Sequence, residues 1–319
     1  MKHLKTQVNN DAINDFEKVL TKNVKSSLLM KSNFDGLVSN MQNPSSVTFV
    51  PQFGVFLVAE RNSSRIGVYE ENFQFRTWLQ FSTSDHPLMD PTKMLCLSSG
   101  FLIIVDKESL HIYDASLTLV KILFGSFHGL AEGSSGLIFT LQKSSDRYCI
   151  NSLNTKNCTE DKWTSSSELV ASQEFPNWEM KSKCTCILFH QNLVYVLDTG
   201  LQNLYIVDTL TRNQRTSSIT LEHPTGLLLI GNNNLLISDC CRIIAWNLTL
   251  KTAEILLDGI PFFSDLVEHD DSILAVVSSH KKSAKILKFS LGSVRDDDED
   301  DFIGAWFEHA MCKNLEQNR

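Results

Sequence analysis

Residues 224–257 carry four short apolar segments in close succession: Pro224-Thr-Gly-Leu-Leu-Leu-Ile230, Asn234-Leu-Leu-Ile-Ser-Asp239, Arg242-Ile-Ile-Ala-Trp-Asn-Leu248 and Thr252-Ala-Glu-Ile-Leu-Leu257. Each is bounded by Gly, Asn or a charged residue and is too short for a globular helix. The economical reading is four strands joined by tight turns.

Similar units lie to either side. Upstream, Pro44-Ser-Ser-Val-Thr-Phe49 leads to Val55-Phe-Leu-Val-Ala-Glu60, Arg65-Ile-Gly-Val-Tyr69 and Phe75-Arg-Thr-Trp-Leu79. A second unit runs from Pro91 through Leu102-Ile-Ile-Val-Asp106 and Leu110-His-Ile-Tyr113 to Phe124, and a third begins at His128. A fourth begins at Cys184 and includes Leu193-Val-Tyr-Val-Leu-Asp198; the last holds Asp265-Leu-Val267, Ile273-Leu-Ala-Val-Val277 and Ile286-Leu-Lys-Phe289. First positions at Pro44, Pro91, His128, Cys184, His223 and Ser264 are roughly 37–56 residues apart, a period that predicts a repeat architecture. The expectation is all-β: a six-bladed propeller of four-stranded blades over 26–293.

The sixth unit shows only three strand-like runs, while an orphan run, Ser27-Leu-Leu-Met-Lys-Ser-Asn-Phe34, precedes the first. A propeller that leaves a blade open exposes a sheet edge, so the orphan is expected to close the ring as an N-terminal strand. In Asp11-Ala-Ile-Asn-Asp-Phe-Glu-Lys-Val-Leu20 the spacing of Ile13, Phe16 and Leu20 predicts a short helix within an extension over 1–25. Residues 294–319 form an acidic tail containing Asp296–Asp301.

Composition narrows the function classes. The 319 residues include 29 Lys+Arg against 37 Asp+Glu, a formal net charge of −8, which argues against a strongly basic DNA-binding protein. No apolar run approaches the roughly 20 residues that span a bilayer, and the opening ten residues lack the apolar core of a secretory leader. A cytoplasmic chain without membrane contact is expected. Its eight cysteines form no CxxC pair, and Cys184-Thr-Cys186 alone does not supply structural zinc, so reduced thiols and no metal are expected.

The proline opening, the second strand ending in an acid and the third strand beginning Arg-Ile resemble the NHL repeat, best in the units at Pro44 and Pro224. The resemblance covers about residues 27–293. It implies the propeller found behind a RING finger, B-boxes and a coiled coil in tripartite-motif proteins, which recruits substrates for ubiquitination or binds RNA. This chain has no RING, since its first cysteine is Cys96.

Catalytic signatures are absent: there is no Gly-x-Ser-x-Gly elbow, Walker loop, dinucleotide glycine pattern or His-Glu-x-x-His. No catalytic residue and no cofactor is assigned. Propeller enzymes resembling gluconolactonases or amidating lyases hold a metal in the central channel, for which Glu60, Asp106, Asp198 and Asp239 are the candidates. The competing reading has these acids tying each blade together, Glu60 with Arg65 and Asp239 with Arg242.

Propeller topology puts the loops joining second to third strands on one face with the loops joining blade to blade. The candidate binding face therefore comprises Arg61, Lys107, Lys143, Arg147, Arg242, Lys281 and Lys282, with Phe262 and Phe263 as apolar anchors. Phosphate tracking is one use of such cations, but residues 36–293 hold about 20 basic against about 25 acidic side chains, short of a net basic RNA-binding face. The first functional reading is a noncatalytic module recruiting a protein partner in a ubiquitin-ligase-linked pathway. Single-stranded RNA binding is the second, and a metal-dependent lactonase or lyase the third.

Overall fold

The structure is a computed structural model, and it describes residues 41, 43–61, 63–79, 87–144, 147–154, 169–174, 183–257, 263–270, 272–278 and 284–290. The chain divides into two compact units. One comprises Phe34–His269 and Leu274–Leu287 and holds nearly all the described residues; of the other, made of residues 1–33, 270–273 and 288–319, few are described.

Strands account for the regular structure, with two short 3-10 turns and no α-helix among the described residues. The first blade is β1 (Pro44–Val50), β2 (Val55–Glu60), β3 (Arg65–Glu70) and β4 (Phe75–Trp78). The second is β5 (Lys93–Cys96), β6 (Leu102–Asp106), β7 (Ser109–Tyr113) and β8 (Leu119–Phe124), and the third is β9 (Ser126–Glu132), β10 (Leu137–Ser144), β11 (Arg147–Asn154) and β12 (Leu169–Glu174). The fourth is β13 (Cys184–His190), β14 (Leu193–Asp198), β15 (Asn203–Asp208) and β16 (Gln214–Thr216), and the fifth is β17 (Pro224–Ile230), β18 (Asn234–Asp239), β19 (Arg242–Asn247) and β20 (Ala253–Leu257). A last sheet contains β21 (Phe263–His269), β22 (Ser272–Ser278) and β23 (Ala284–Ser290).

Within each sheet the strands follow chain order, and the resolved pairings are antiparallel. The innermost strands succeed one another in a ring: β1 beside β5, then β9, β13, β17 and β21, which returns to β1. This is a β-propeller. The expected six four-stranded blades are corrected to five, because the sixth sheet has three strands among the described residues. The expected closing strand at Ser27–Phe34, the helix at 11–20 and the acidic tail lie outside the described residues. The third unit, which begins at His128, also has an outer strand far along the chain. Residues 169–174 form β12, which pairs with β11.

The core lies between neighbouring blades. Leu57, Ala59 and Ile66 of the first blade pack on Met94, Leu102 and Ile104 of the second, and Leu197, Leu204 and Ile206 of the fourth pack on Leu235, Ile237 and Trp246 of the fifth. A middle strand is therefore covered on both faces, which is why Leu102–Asp106 and Ser109–Tyr113 are buried at every position and why the first reads as an apolar run closed by its acid. Outer strands face solvent, and β4 is largely exposed. Phe56 is 0 % exposed; truncating such a side chain to alanine costs about 3–5 kcal/mol.

Candidate functional site

Three blades open with the same distortion. The register of the innermost strand slips between Pro44 and Ser46, between Cys184 and Cys186, and between Pro224 and Gly226, so that Ser45, Thr185 and Thr225 are bulged out. At two of the bulges, hydroxyls bond to the next blade. Ser45 Oγ donates to Pro91 O of the next blade at 2.7 Å. Thr185 Oγ1 lies 2.9 Å from Thr199 Oγ1, which donates to Pro224 O of the next blade. Gly226 follows its bulge because a Cβ there would lie 2.7 Å from Ser238 Oγ.

Opposite the first residue of each bulged strand sits the acid that ends the second strand: Pro44 faces Glu60, Cys184 faces Asp198 and Pro224 faces Asp239. These carboxylates are buried, and backbone N–H groups of the loop leading into their own blade engage most of them. Asp106 accepts from Met89 N at 2.8 Å and Asp90 N at 2.6 Å. Asp198 accepts from Lys183 N at 2.8 Å and from Gly200 and Leu201 N. Asp239 accepts from Glu222 and His223 N and from Arg242 Nη2 at 2.8 Å. Glu60 differs, since it accepts from Ser63 Oγ at 2.6 Å and Arg65 Nη2 at 3.3 Å. Arg65 also covers the Trp78 ring at 4.0 Å.

The expected pairings of Glu60 with Arg65 and Asp239 with Arg242 are thus present. The alternative set of channel ligands is not assembled, because each acid is held within its own blade; among the described residues no three His, Cys, Asp or Glu side chains are placed to hold a metal. The acid that does join innermost strands is Asp265 on β21. Its Oδ2 accepts from Ser46 Oγ at 2.6 Å and Val47 N at 3.3 Å, and its Oδ1 lies 2.8 Å from Lys93 Nζ on β5. Ser46 Oγ in turn accepts from Met94 N at 3.0 Å. Strand periodicity marks Lys93 and Asp265 only as polar interruptions, so sequence reasoning passed over them.

The anticipated cations occupy varied surroundings. Arg61 is exposed and pairs with Asp90 at 3.1 Å. Lys107 is exposed in the two-residue turn between β6 and β7, next to Glu108. Lys143 places Nζ 5.6 Å from the Tyr148 ring, and Arg242 binds Asp239 and Glu222. Arg147 begins β11 and Phe263 begins β21, and neither side chain is among the described ones; Phe262, Lys281 and Lys282 lie outside the described residues.

Sequence reasoning missed two exposed apolar side chains at the same end of the second blade. Met89 is 61 % exposed in the loop before β5, and Phe124 is 72 % exposed at the end of β8. Hydrogen bonds gather them around Lys107: Met89 N donates to Asp106, and Gly125 N, the residue after Phe124, donates to Glu108 O at 2.9 Å. No local pattern separates these from core positions. The signal lies in topology, since both flank a turn on the same end of the sheet.

Nearby in the third blade, His128 bonds Ser126 Oγ at 3.1 Å and meets the Tyr148 ring edge-on at 5.4 Å. Burial, reinforced by the Lys143 and Lys183 charges, holds its pKa below the usual histidine value. Burial pushes Tyr148 up to about 12, with Cys184 and Asp198 adding to the shift.

No protein-family model and no curated protein matches the chain. Solved structures do. A streptogramin B lyase structure is 13 % identical with a TM-score of 0.54, covering 81 % of this chain and 86 % of that one. The RRP9 WD40 repeats are 13 % identical with a TM-score of 0.59, covering 82 % and 81 %. The virginiamycin B lyase of Staphylococcus aureus is 12 % identical with a TM-score of 0.52, covering 81 % and 87 %. Likeness at this identity establishes the propeller fold alone. The NHL resemblance stated above gains no family match. No described helix is long and apolar enough to cross a membrane.

Proposed function

We propose that the chain is a noncatalytic docking propeller that holds a protein segment on the face made by the second-to-third-strand turns and the loops joining blade to blade. The propeller spans 26–293 in this reading, between a helical extension over 1–25 and an acidic tail over 294–319. One observation carries it: at the end of the second blade, Met89 and Phe124 stand exposed around Lys107, while Asp106, one of its two acidic neighbours, is buried and engaged by backbone. Exposed apolar anchors beside a charge are the usual nucleus of a protein interface. The segment best suited to it carries an apolar side chain next to an acidic one.

The other readings draw less support. Arg61 and Arg242 have carboxylate partners within 3.1 Å, which cancels much of the field that phosphate tracking needs. The catalytic reading lacks convergent ligands among the described residues. The resemblance to NHL propellers supports a cytoplasmic role linked to a ubiquitin ligase, with recruitment of a substrate rather than transfer of ubiquitin.

The test is capture from cell lysate with and without ribonuclease, comparing the native chain with Arg61→Glu/Lys107→Glu. Proteins that survive ribonuclease and are lost from the charge-reversed chain support the proposal. Enrichment of RNA that the same substitutions abolish replaces it with the RNA-binding reading.

A further inference from the structure

The turn between β18 and β19 is Asp239-Cys-Cys-Arg242, a two-residue loop whose ends are paired in register and joined by the Arg242–Asp239 ion pair at 2.8 Å. Both thiols are free and half-buried, with Cys240 Sγ 3.6 Å from Cys241 Sγ. Cys240 has φ +53°, a left-handed conformation for which glycine or asparagine is the ordinary choice. The turn is also tied to the preceding loop, because Cys240 N donates to His223 O at 3.0 Å and Asp239 accepts from Glu222 and His223 N. A pinned loop thus holds two adjacent thiols side by side at the surface. Cys149, Cys184 and Cys186 are buried, by contrast, between and within the blades.

We propose that Cys240 and Cys241 form a redox-active vicinal dithiol that small-molecule disulfides such as glutathione disulfide convert to an intramolecular disulfide. In the first step one cysteine, as thiolate, attacks a sulfur of the oxidant; the oxidant's S–S bond breaks and one small thiolate leaves. The neighbouring cysteine then loses its proton and attacks the protein sulfur of the mixed disulfide, expelling the second small thiolate. The pair loses two protons and two electrons, and the oxidant is reduced to two thiols.

Adjacent Cα atoms are about 3.8 Å apart, shorter than the roughly 4.4–6.8 Å that disulfides ordinarily span. The bond is therefore strained and easily reduced, which makes the pair a reversible site rather than a structural crosslink. The hydrogen bond that the Cys240 thiol shares with Cys241, with burial and the charges of Cys241, Glu222 and Asp239 adding to it, holds Cys240 above its usual pKa. Oxidation consequently speeds up as pH rises, by about tenfold per unit while the thiol stays protonated.

The proposal is tested on the full chain equilibrated with graded ratios of oxidised to reduced glutathione, alkylated and digested with trypsin. Cleavage after Arg215 and Arg242 isolates both thiols in the peptide 216–242. The expected result is loss of two hydrogens from that peptide, reversed by dithiothreitol, with Cys240→Ser and Cys241→Ser each stopping instead at a stable glutathione adduct on the remaining thiol. Circular dichroism identical to the native chain confirms that the variants fold. A peptide that keeps two alkylatable thiols up to fully oxidised glutathione, or that carries two glutathiones, overturns the proposal.

Discussion

Lys93 Nζ on β5 lies 2.8 Å from Asp265 Oδ1 on β21, and Asp265 Oδ2 accepts from Ser46 and Val47 on β1 between them. One carboxylate therefore joins three successive innermost strands at the place where the ring returns on itself. Both side chains are nearly buried, at 12 % and 10 % exposure. Removing one member leaves the other charge unpaired in a poorly solvated place, so Asp265→Asn is expected to destabilise by about 3–5 kcal/mol, read from urea denaturation. The double variant Lys93→Met/Asp265→Leu recovers most of that loss, because removing both charges also removes their desolvation penalty.

The same pair sets an alkaline limit. Burial pulls the Lys93 pKa down, but Asp265 and Cys186 outweigh it and the net shift is upward. A pKa raised on folding gives a contribution fully present below the unfolded value of about 10.4 and lost as pH rises through the folded value. Native stability should fall in that alkaline range more steeply than the stability of the double variant.

His128 works in the opposite pH range. Its pKa is lowered on folding, first by burial and then by Lys143 and Lys183. The unfolded chain takes up the proton first, so stability falls as pH drops below about 6.5. Thermal unfolding compared between neutral and mildly acidic buffer should show a smaller loss for His128→Gln than for the native chain.

Asp239 is 0 % exposed and accepts from two backbone N–H groups as well as Arg242. Asp239→Ala takes the acceptor from those two donors and the partner from Arg242, and is expected to cost about 1–3 kcal/mol in denaturant unfolding. Arg242→Ala should cost less, since the backbone donors keep their carboxylate. A larger loss for the arginine would reverse the order of importance assigned here.

Much of the architecture was legible because middle strands are covered on both sides and read as unbroken apolar runs, as Leu102–Asp106 does. Acids ending those strands were legible as repeats, and the pairing of Glu60 with Arg65 was anticipated from their spacing. Strand β12 was not, since Leu169–Glu174 alternates weakly inside a polar stretch. Another recurrent device passed unnoticed: a polar residue at the end of the third strand, or just after it, caps the next turn. Asp114 Oδ1 accepts from Ser116 and Thr118 N, Asp208 Oδ1 from Leu210 and Thr211 N, and Asn247 Oδ1 from Thr249 and Leu250 N. These are short-range side-chain turns with no apolar periodicity to betray them. The binding face was the least legible, because Met89 and Phe124 are brought to one blade end only by the sheet's topology.

Those side-chain turns carry their own prediction. The Thr211 and Leu210 N–H bonds hold Asp208 below the usual carboxylate range. A pKa depressed on folding gives a contribution present above about 3.9 and lost as pH falls through the folded value. Asp208→Asn keeps the turn acceptor and should lose this acid dependence, as urea midpoints at low pH would reveal.

The most direct test of the docking account places a photoactivatable crosslinking residue at position 89 or, at the opposite end of the blades, at the exposed Leu250. Irradiation in ribonuclease-treated lysate is expected to give discrete protein adducts from position 89 and none from position 250. Adducts formed equally from both positions, or RNA adducts from position 89 in untreated lysate without protein ones, would contradict a protein-docking face at the end of the second blade.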